Sequence, residues 1–274
     1  VAYWKRLYNP QNHPKKDSPM PVDYRKEDKI AVFTLNRPEV LNAVDPETAE
    51  ELSRAFEDFR EDDGLLVGII TGAGSKAFSV GADVETMLPK IKELAGQESG
   101  PLNLANGLNS WKPIIAAING AALGGGLEIA LACDLRIASE NAIFAMPEVT
   151  LGLIPGWGGT QRLPRLIPQA KAAELLLTGK PISAQEAYRI ALINKVVPLA
   201  ELMPAARQVA ELLCKRAPLA VRAAKQAMTQ GIEVTLEDGL KLERKLNDFL
   251  VNTEDFDEGC QANIEKRQPV FKGK

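Results

Sequence analysis

Three consecutive glycines, Gly124-Gly125-Gly126, are followed closely by Glu128 and, twenty positions further on, by Glu148. A glycine run that opens directly into an apolar helix lets a substrate lie against bare backbone. The first free N–H groups of that helix form a small anion site. With two carboxylates just downstream, the pattern is that of an enzyme that polarises a carbonyl and moves protons beside it. Glu128 falls in the first turn of the predicted helix Leu127–Ala132, where the positive end of the macrodipole favours its ionised form and suits it to activating water. Glu148 follows Met146-Pro147 after a strand, in apolar surroundings that raise its pKa and favour a held proton. Base and acid roles are thereby divided. Plainer readings stay open at this level: close helix packing for the triplet, capping for Glu128 and a surface position for Glu148.

The elements that must position these residues are legible from periodicity. Lys29 to Leu35 reads as an apolar strand, and Pro46 opens a helix capped by Asp45, with Ala49, Leu52, Phe56 and Phe59 as its inner stripe. Leu66 to Thr71 is a continuous apolar strand covered on both faces, followed by a glycine-rich turn and Phe78 to Asp83. Residues 85–110 mix polarities around Pro89, Gly96, Gly100 and Pro101, as in a loose helical excursion that shapes a pocket. Ile114 to Ile118, Leu135 to Ala138 and Ala142 to Ala145 read as strands. From Gln169 onward the pattern turns helical, and Leu236, Leu240, Leu246 and Leu250 are the expected buried edge of a helix begun by Thr235. Strands alternating with helices, then helices alone, predict an α/β core with a helical C-terminal lobe. The division expected is an irregular arm over 1–24, a catalytic core over 25–200 and a helical region over 201–274.

Composition sets the outer bounds. The chain has 274 residues with 45% apolar and 25% charged content, enough for a substantial core and ordinary for a globular protein. A net charge of −3 leaves no electrostatic footprint for nucleic acid or an anionic membrane. Cys133, Cys214 and Cys260 are odd in number and widely spaced, suggesting neither a disulfide frame nor a zinc site, and a reducing compartment fits: cytoplasm, or an organelle matrix. Residues 1–12 do not look like a secretory signal, and the start at Val1 is read as a trimmed end. No metal or separate cofactor is expected, because the two glutamates have no clustered companions and the one histidine, His13, lies in the arm. The same isolation of His13 and the lack of a nucleophile elbow around Ser79 oppose a serine-hydrolase triad. Gly72 to Lys76 has the wrong spacing for a phosphate loop.

Four separated stretches carry a family resemblance: Asn36-Arg37-Pro38 with Leu41-Asn42-Ala43; Gly81-Ala82-Asp83; Gly124-Gly125-Gly126-Leu127-Glu128; and Pro147-Glu148 through Leu151-Gly152-Leu153-Ile154-Pro155 to Gly159-Thr160-Gln161-Arg162. In order and spacing they resemble the enoyl-CoA hydratase (crotonase) superfamily over about residues 24–274. The resemblance implies a crotonase-like spiral of ββα units with a helical C-terminal trimerisation region, assembled as a homotrimer or a dimer of trimers. It implies an acyl-CoA thioester substrate, so coenzyme A is part of the substrate. It gives the oxyanion donors as the backbone N–H groups of Ala82 and Gly125, and the catalytic pair as Glu128 and Glu148. Coenzyme A would lie across Val80, Asp83 and Val84, with basic residues near Lys272 of a neighbouring subunit reaching its phosphates; a solvated basic tail at Lys266, Arg267, Lys272 and Lys274 is the other reading. Gly156 would help hold the catalytic water. Many relatives have a small residue where Trp157 stands, so its indole either narrows the acyl tunnel or belongs to the core.

Hydratases of this superfamily carry Glu at both catalytic positions, whereas isomerising relatives commonly keep only the second. The reading is therefore an enoyl-CoA hydratase that adds water syn across a 2,3 double bond. The alternatives are a specialised dehydratase of carnitinyl-CoA or a cyclic enoyl-CoA, an enoyl-CoA isomerase, and an RNA-binding homologue, which the acidic pI opposes.

Overall fold

In a computed structural model of the chain, residues 20–94, 108 and 110–274 are described. His13 with most of the expected arm, and residues 95–107 and 109 of the expected excursion, lie outside the described residues. The chain opens with a hairpin, β1 (Val22–Glu27) against β2 (Ile30–Leu35), turned at Asp28 with a positive φ of 51°. β1 begins inside the segment expected to be irregular. Its residues give no strong apolar signal because it is the sheet's edge, where pairing with β2 supplies the backbone hydrogen bonds.

Helix α1 (Pro46–Glu61) comes next. Asp45 accepts the Thr48 N–H at 2.8 Å, Pro46 opens the helix, and Ala49, Leu52, Phe56 and Phe59 are buried as their spacing predicts. The chain then repeats one pattern three times. β3 (Val67–Gly72) leads to β4 (Ala77–Ser79) and α2 (Met87–Glu93). β5 (Ile114–Ile118) leads to β6 (Ala121–Leu123) and α3 (Gly125–Ala132). β7 (Leu135–Ser139) leads to β8 (Ile143–Ala145), a 3-10 turn over Pro147–Leu151 and α4 (Gly159–Leu166). The first strand of each pair joins one sheet and the second joins another, so the chain spirals between two sheets. Adding α5 (Gln169–Thr178), β9 (Ile182–Ser183), α6 (Ala184–Arg189) and β10 (Lys195–Val197) completes the orders β1-β2-β3-β5-β7-β10 and β4-β6-β8-β9. Both sheets are parallel except for β1 and β9, which pair antiparallel at their edges.

The continuous apolar runs have a simple cause. Ala31, Phe33, Ile70, Ile114 and Ala116 face α1 and α3 in the main core, whereas Ile30, Val32, Ile69, Ile115 and Ala117 face α7 (Leu202–Cys214) in a second one. Both faces of the larger sheet are therefore dry. β6 escapes sequence reading because only three residues separate the turn at Gly120 from the glycine triplet.

The end of the chain forms α8 (Pro218–Gly231), α9 (Leu236–Leu250) and α10 (Glu254–Glu265). Here one expectation fails: α9 has no buried residue, and Leu236 is 79% and Leu240 53% exposed. α9 packs against α8 only along one side, so Leu246 and Leu250 are half-buried and the rest of its apolar edge has no cover among the described residues.

A buried polar knot ties the first turns of the spiral together. The Arg37 guanidinium donates to the Ala43 carbonyl at 2.8 Å and bonds the carboxylates of Asp83 at 3.3 Å and Asp45 at 3.2 Å. Asn42 accepts from the Arg37 N–H and donates to the carbonyls of Ala73 and Ala77. Removing one partner of a buried ion pair strands the other charge. Arg37→Met is accordingly expected to lower stability by about 3–5 kcal/mol in chemical denaturation, and an unchanged midpoint would show that the knot contributes nothing to stability.

Candidate active site

The segment after β4 reaches the site by pairing with the chain just before α1. Val44 donates its N–H to Gly81 O at 2.8 Å, and Asp83 donates to Val44 O at 2.9 Å, a parallel bridge that uses the residues on either side of Ala82. Backbone groups alternate in an extended chain, so the Ala82 N–H points away from Val44. No hydrogen bond among the described residues uses it. Opposite it lies the start of α3. Gly124 donates to Ala145 O at 2.9 Å, fixing the triplet on β8, and Glu128 N–H closes the first helical turn on Gly124 O. Gly125 is the first residue of the helix, two residues earlier than the sequence predicts, and its N–H precedes the intrahelical ladder.

These two segments touch. A Cβ placed on Gly81, whose φ is +88°, would stand 2.7 Å from the Gly125 nitrogen, and one on Gly126 would stand 2.0 Å from the Ser79 carbonyl oxygen. The triplet's close packing and its open helix end thus have one cause: the helix can expose its N-terminus beside Ala82 only because nothing projects between the two backbones.

Glu128 is buried in the first turn of α3, and its Oε1 accepts the N–H groups of both Trp157 and Gly159 at 2.7 Å. Burial raises its pKa above the ordinary range, while the two N–H bonds and the nearby charge of Arg162 work against that rise. The expected dominance of the helix dipole is corrected here. α3 lies deep in the core, and desolvation of the carboxylate outweighs a dipole that acts only over the first turn. Glu148 sits at the start of the 3-10 turn. Burial pushes its carboxyl up to about 7, the charge of Glu128 adding to the rise, and its buried Oε2 accepts no hydrogen bond among the described residues. The carboxylate with two donors is the better anion, and the one with an unpartnered oxygen holds a proton near neutral pH.

Ala82, Gly125, Glu128 and Glu148 line one cavity of about 130 Å³, together with Val80, Val84, Gly156 and Trp157. Asp83, expected to bind substrate, does not reach it. It is 1% exposed, bonded to Arg37, and its other oxygen accepts the N–H groups of Glu85 and Thr86 ahead of α2. Asp83 holds the shape of the segment rather than contacting the cavity. Leu88 and Ile91 of α2, within the stretch expected to shape a pocket, supply an apolar wall, joined by Leu151, Leu153 and Ile154, which sequence reading did not single out as lining. Sequence reading also missed Gly159 as the second donor to Glu128, although the run Gly156-Trp157-Gly158-Gly159 was a signal of close backbone approach. Trp157 belongs to both places between which the sequence could not choose: it packs in the main core and forms one wall of the cavity.

Within the basic tail, Arg267 is paired with Glu258 and Glu265, whereas Lys266 and Lys274 are exposed. Among the described residues no three His, Cys, Asp or Glu side chains cluster as metal ligands, and no helix is long and apolar enough to cross a membrane.

The sequence and fold are similar to those of known proteins. Residues 25–274 match the family model described as enoyl-CoA hydratase/isomerase. The chain is 46% identical over 256 residues to the (E)-benzylidenesuccinyl-CoA hydratase of Thauera aromatica, covering 93% of this chain and 100% of that one. It is 44% identical to the short-chain-enoyl-CoA hydratase of Clostridium acetobutylicum, over 90% of this chain and 95% of the relative. The crystal structure of an enoyl-CoA hydratase from Bacillus anthracis superposes with a TM-score of 0.84 at 40% identity, covering 93% of this chain and all of the other. By its family model, its relatives and its fold, the chain belongs to the enoyl-CoA hydratase/isomerase family.

Proposed function

We propose that this chain, an enzyme of the enoyl-CoA hydratase type, adds water across the 2,3 double bond of an enoyl-CoA thioester at the cavity between Ala82, Gly125, Glu128 and Glu148. The observation that carries the reading is the meeting of two unpaired backbone donors and two unlike carboxylates on one small apolar cavity. The thioester oxygen accepts hydrogen bonds from the Ala82 and Gly125 N–H groups, which strengthen as negative charge develops in a dry site. Glu128 and Glu148 hold a water. Its oxygen bonds to C3, its proton passes to the carboxylate pair, and Glu148 gives its proton to C2, so one proton is consumed and one returned. Gly156 lies on the wall beside that water. The coenzyme A portion is read as passing over Val80 and Val84, and no cofactor besides the substrate takes part.

For assembly, the reading is a homotrimer formed through the C-terminal helices, alone or as paired trimers. It is supported by apolar side chains that the single chain leaves bare there: Ile232, Leu236 and Ile264 are 71%, 79% and 75% exposed. Apolar grooves of 670 and 600 Å³ run beside them. Such exposure is more than a monomer normally carries.

Three measurements test this. Glu128→Gln and Glu148→Gln should each lower kcat for hydration of crotonyl-CoA by about 10²- to 10⁴-fold with little change in KM, and near-full activity in Glu128→Gln would refute the assignment. Glu148 must be protonated to act as acid, so kcat/KM for hydration should fall as pH rises through about 7, while the reverse dehydration gains over the same range. Light scattering should give at least three times the chain mass of 29.7 kDa, and a monomeric peak at micromolar concentration would contradict the assembly.

A further inference from the structure

Trp157 is the largest side chain on the cavity, and it is held from both sides through its backbone. Its N–H donates to Glu128 Oε1 at 2.7 Å, and its carbonyl accepts from Arg162 Nη1 at 2.9 Å. Its ring lies against the Gly125 backbone: a Cβ there would fall 2.3 Å from the indole Cζ3 and 2.5 Å from Cε3. The indole is thus fixed directly beside the peptide whose N–H faces the substrate carbonyl. An acyl chain leaving that carbonyl meets the ring within a few atoms. The remaining space, about 130 Å³, falls well below the roughly 300–1,000 Å³ of a typical small-molecule pocket.

The charge of the wall is equally restrictive. Glu128 and Glu148 are the only ionisable side chains lining the cavity among the described residues, and all other lining residues are apolar or glycine. A second carboxylate on the acyl group would enter a low-dielectric space already holding two acidic groups and no lining cation, an arrangement that charge burial disfavours strongly.

We propose that the acyl site selects short, uncharged 2-enoyl groups, with the Trp157 indole setting its depth and the unbalanced pair of glutamates rejecting acyl groups that bear a distal carboxylate. This rests on the hydratase reading and names its substrate class. Trp157 acts here as a specificity residue. Its backbone N–H, which anchors Glu128, survives substitution of the side chain, so depth can be altered while that anchor is kept.

The test is kcat/KM for crotonyl-, hex-2-enoyl-, dec-2-enoyl- and glutaconyl-CoA, measured on the full chain and on Trp157→Phe and Trp157→Ala. In the unsubstituted enzyme crotonyl-CoA should exceed dec-2-enoyl-CoA by at least about tenfold, since even one methylene that a fitted pocket does not hold is worth about 10- to 200-fold, and glutaconyl-CoA by about 100-fold, since its second carboxylate would be buried without a cation. The dec-2-enoyl to crotonyl ratio should rise about tenfold in Trp157→Ala and by less in Trp157→Phe, which reads the same ratio if the alanine variant does not fold. A flat chain-length profile, a ratio unmoved by substitution, or glutaconyl-CoA hydrated as well as crotonyl-CoA would each overturn this inference and leave the hydratase reading intact. Failure of the unsubstituted enzyme on all four thioesters would overturn both.

Discussion

The contact on which this structure depends is that of two bare backbones: the Gly81–Asp83 segment against the first turn of α3. Its closeness is set by absent side chains, since a Cβ on Gly81 would meet the Gly125 nitrogen at 2.7 Å and one on Gly126 the Ser79 carbonyl at 2.0 Å. Each turn of the spiral adds one strand to each sheet. β4 and β6 are therefore neighbours in the smaller sheet, and the segments leaving them arrive at the same place. Two N–H groups more than forty residues apart in sequence come to one cavity because the repeat delivers them there.

Around that contact the protein places polar interactions in two shells of different purpose. The inner one is the Glu128 carboxylate with the N–H groups of Trp157 and Gly159, which links α3 to the start of α4 and leaves Glu148 as the carboxyl pushed up to about 7. The outer one is the Arg37, Asp83 and Asp45 knot with Asn42, which fixes the curvature of the segment carrying Ala82. The buried knot holds the backbone on either side of Ala82 without lining the cavity.

Sequence patterning was informative wherever burial is two-sided or a cap is local. The strand cores of β2, β3 and β5, the Asp45 cap and the inner stripe of α1 all follow from period and residue type. It was uninformative where a partner decides. β1 is a strand only because β2 is next to it, and β6 is too short to show a period. The apolar edge of α9 has the spacing of a buried stripe, yet the described residues do not bury it. Spacing records that a face must be covered and is silent on whether the cover comes from the same chain.

By itself, then, the sequence singled out a glycine triplet that only a close approach or an open helix end requires, and two glutamates downstream of it at a spacing that resembles one family. The tertiary structure decided which of the neighbouring residues take part. Asp83, adjacent to a donor in sequence, is a buried partner of Arg37, because alternation along an extended chain sends neighbouring groups to opposite sides. Trp157 and Gly159, about thirty residues from Glu128, hold its carboxylate, because a helix N-terminus in a core takes its partners from whichever loop packs over it. The ionisation of the pair was likewise a tertiary matter. Residue type fixes an ordinary pKa, but the depth of burial and the count of N–H donors, both set by packing, separate the anion from the acid.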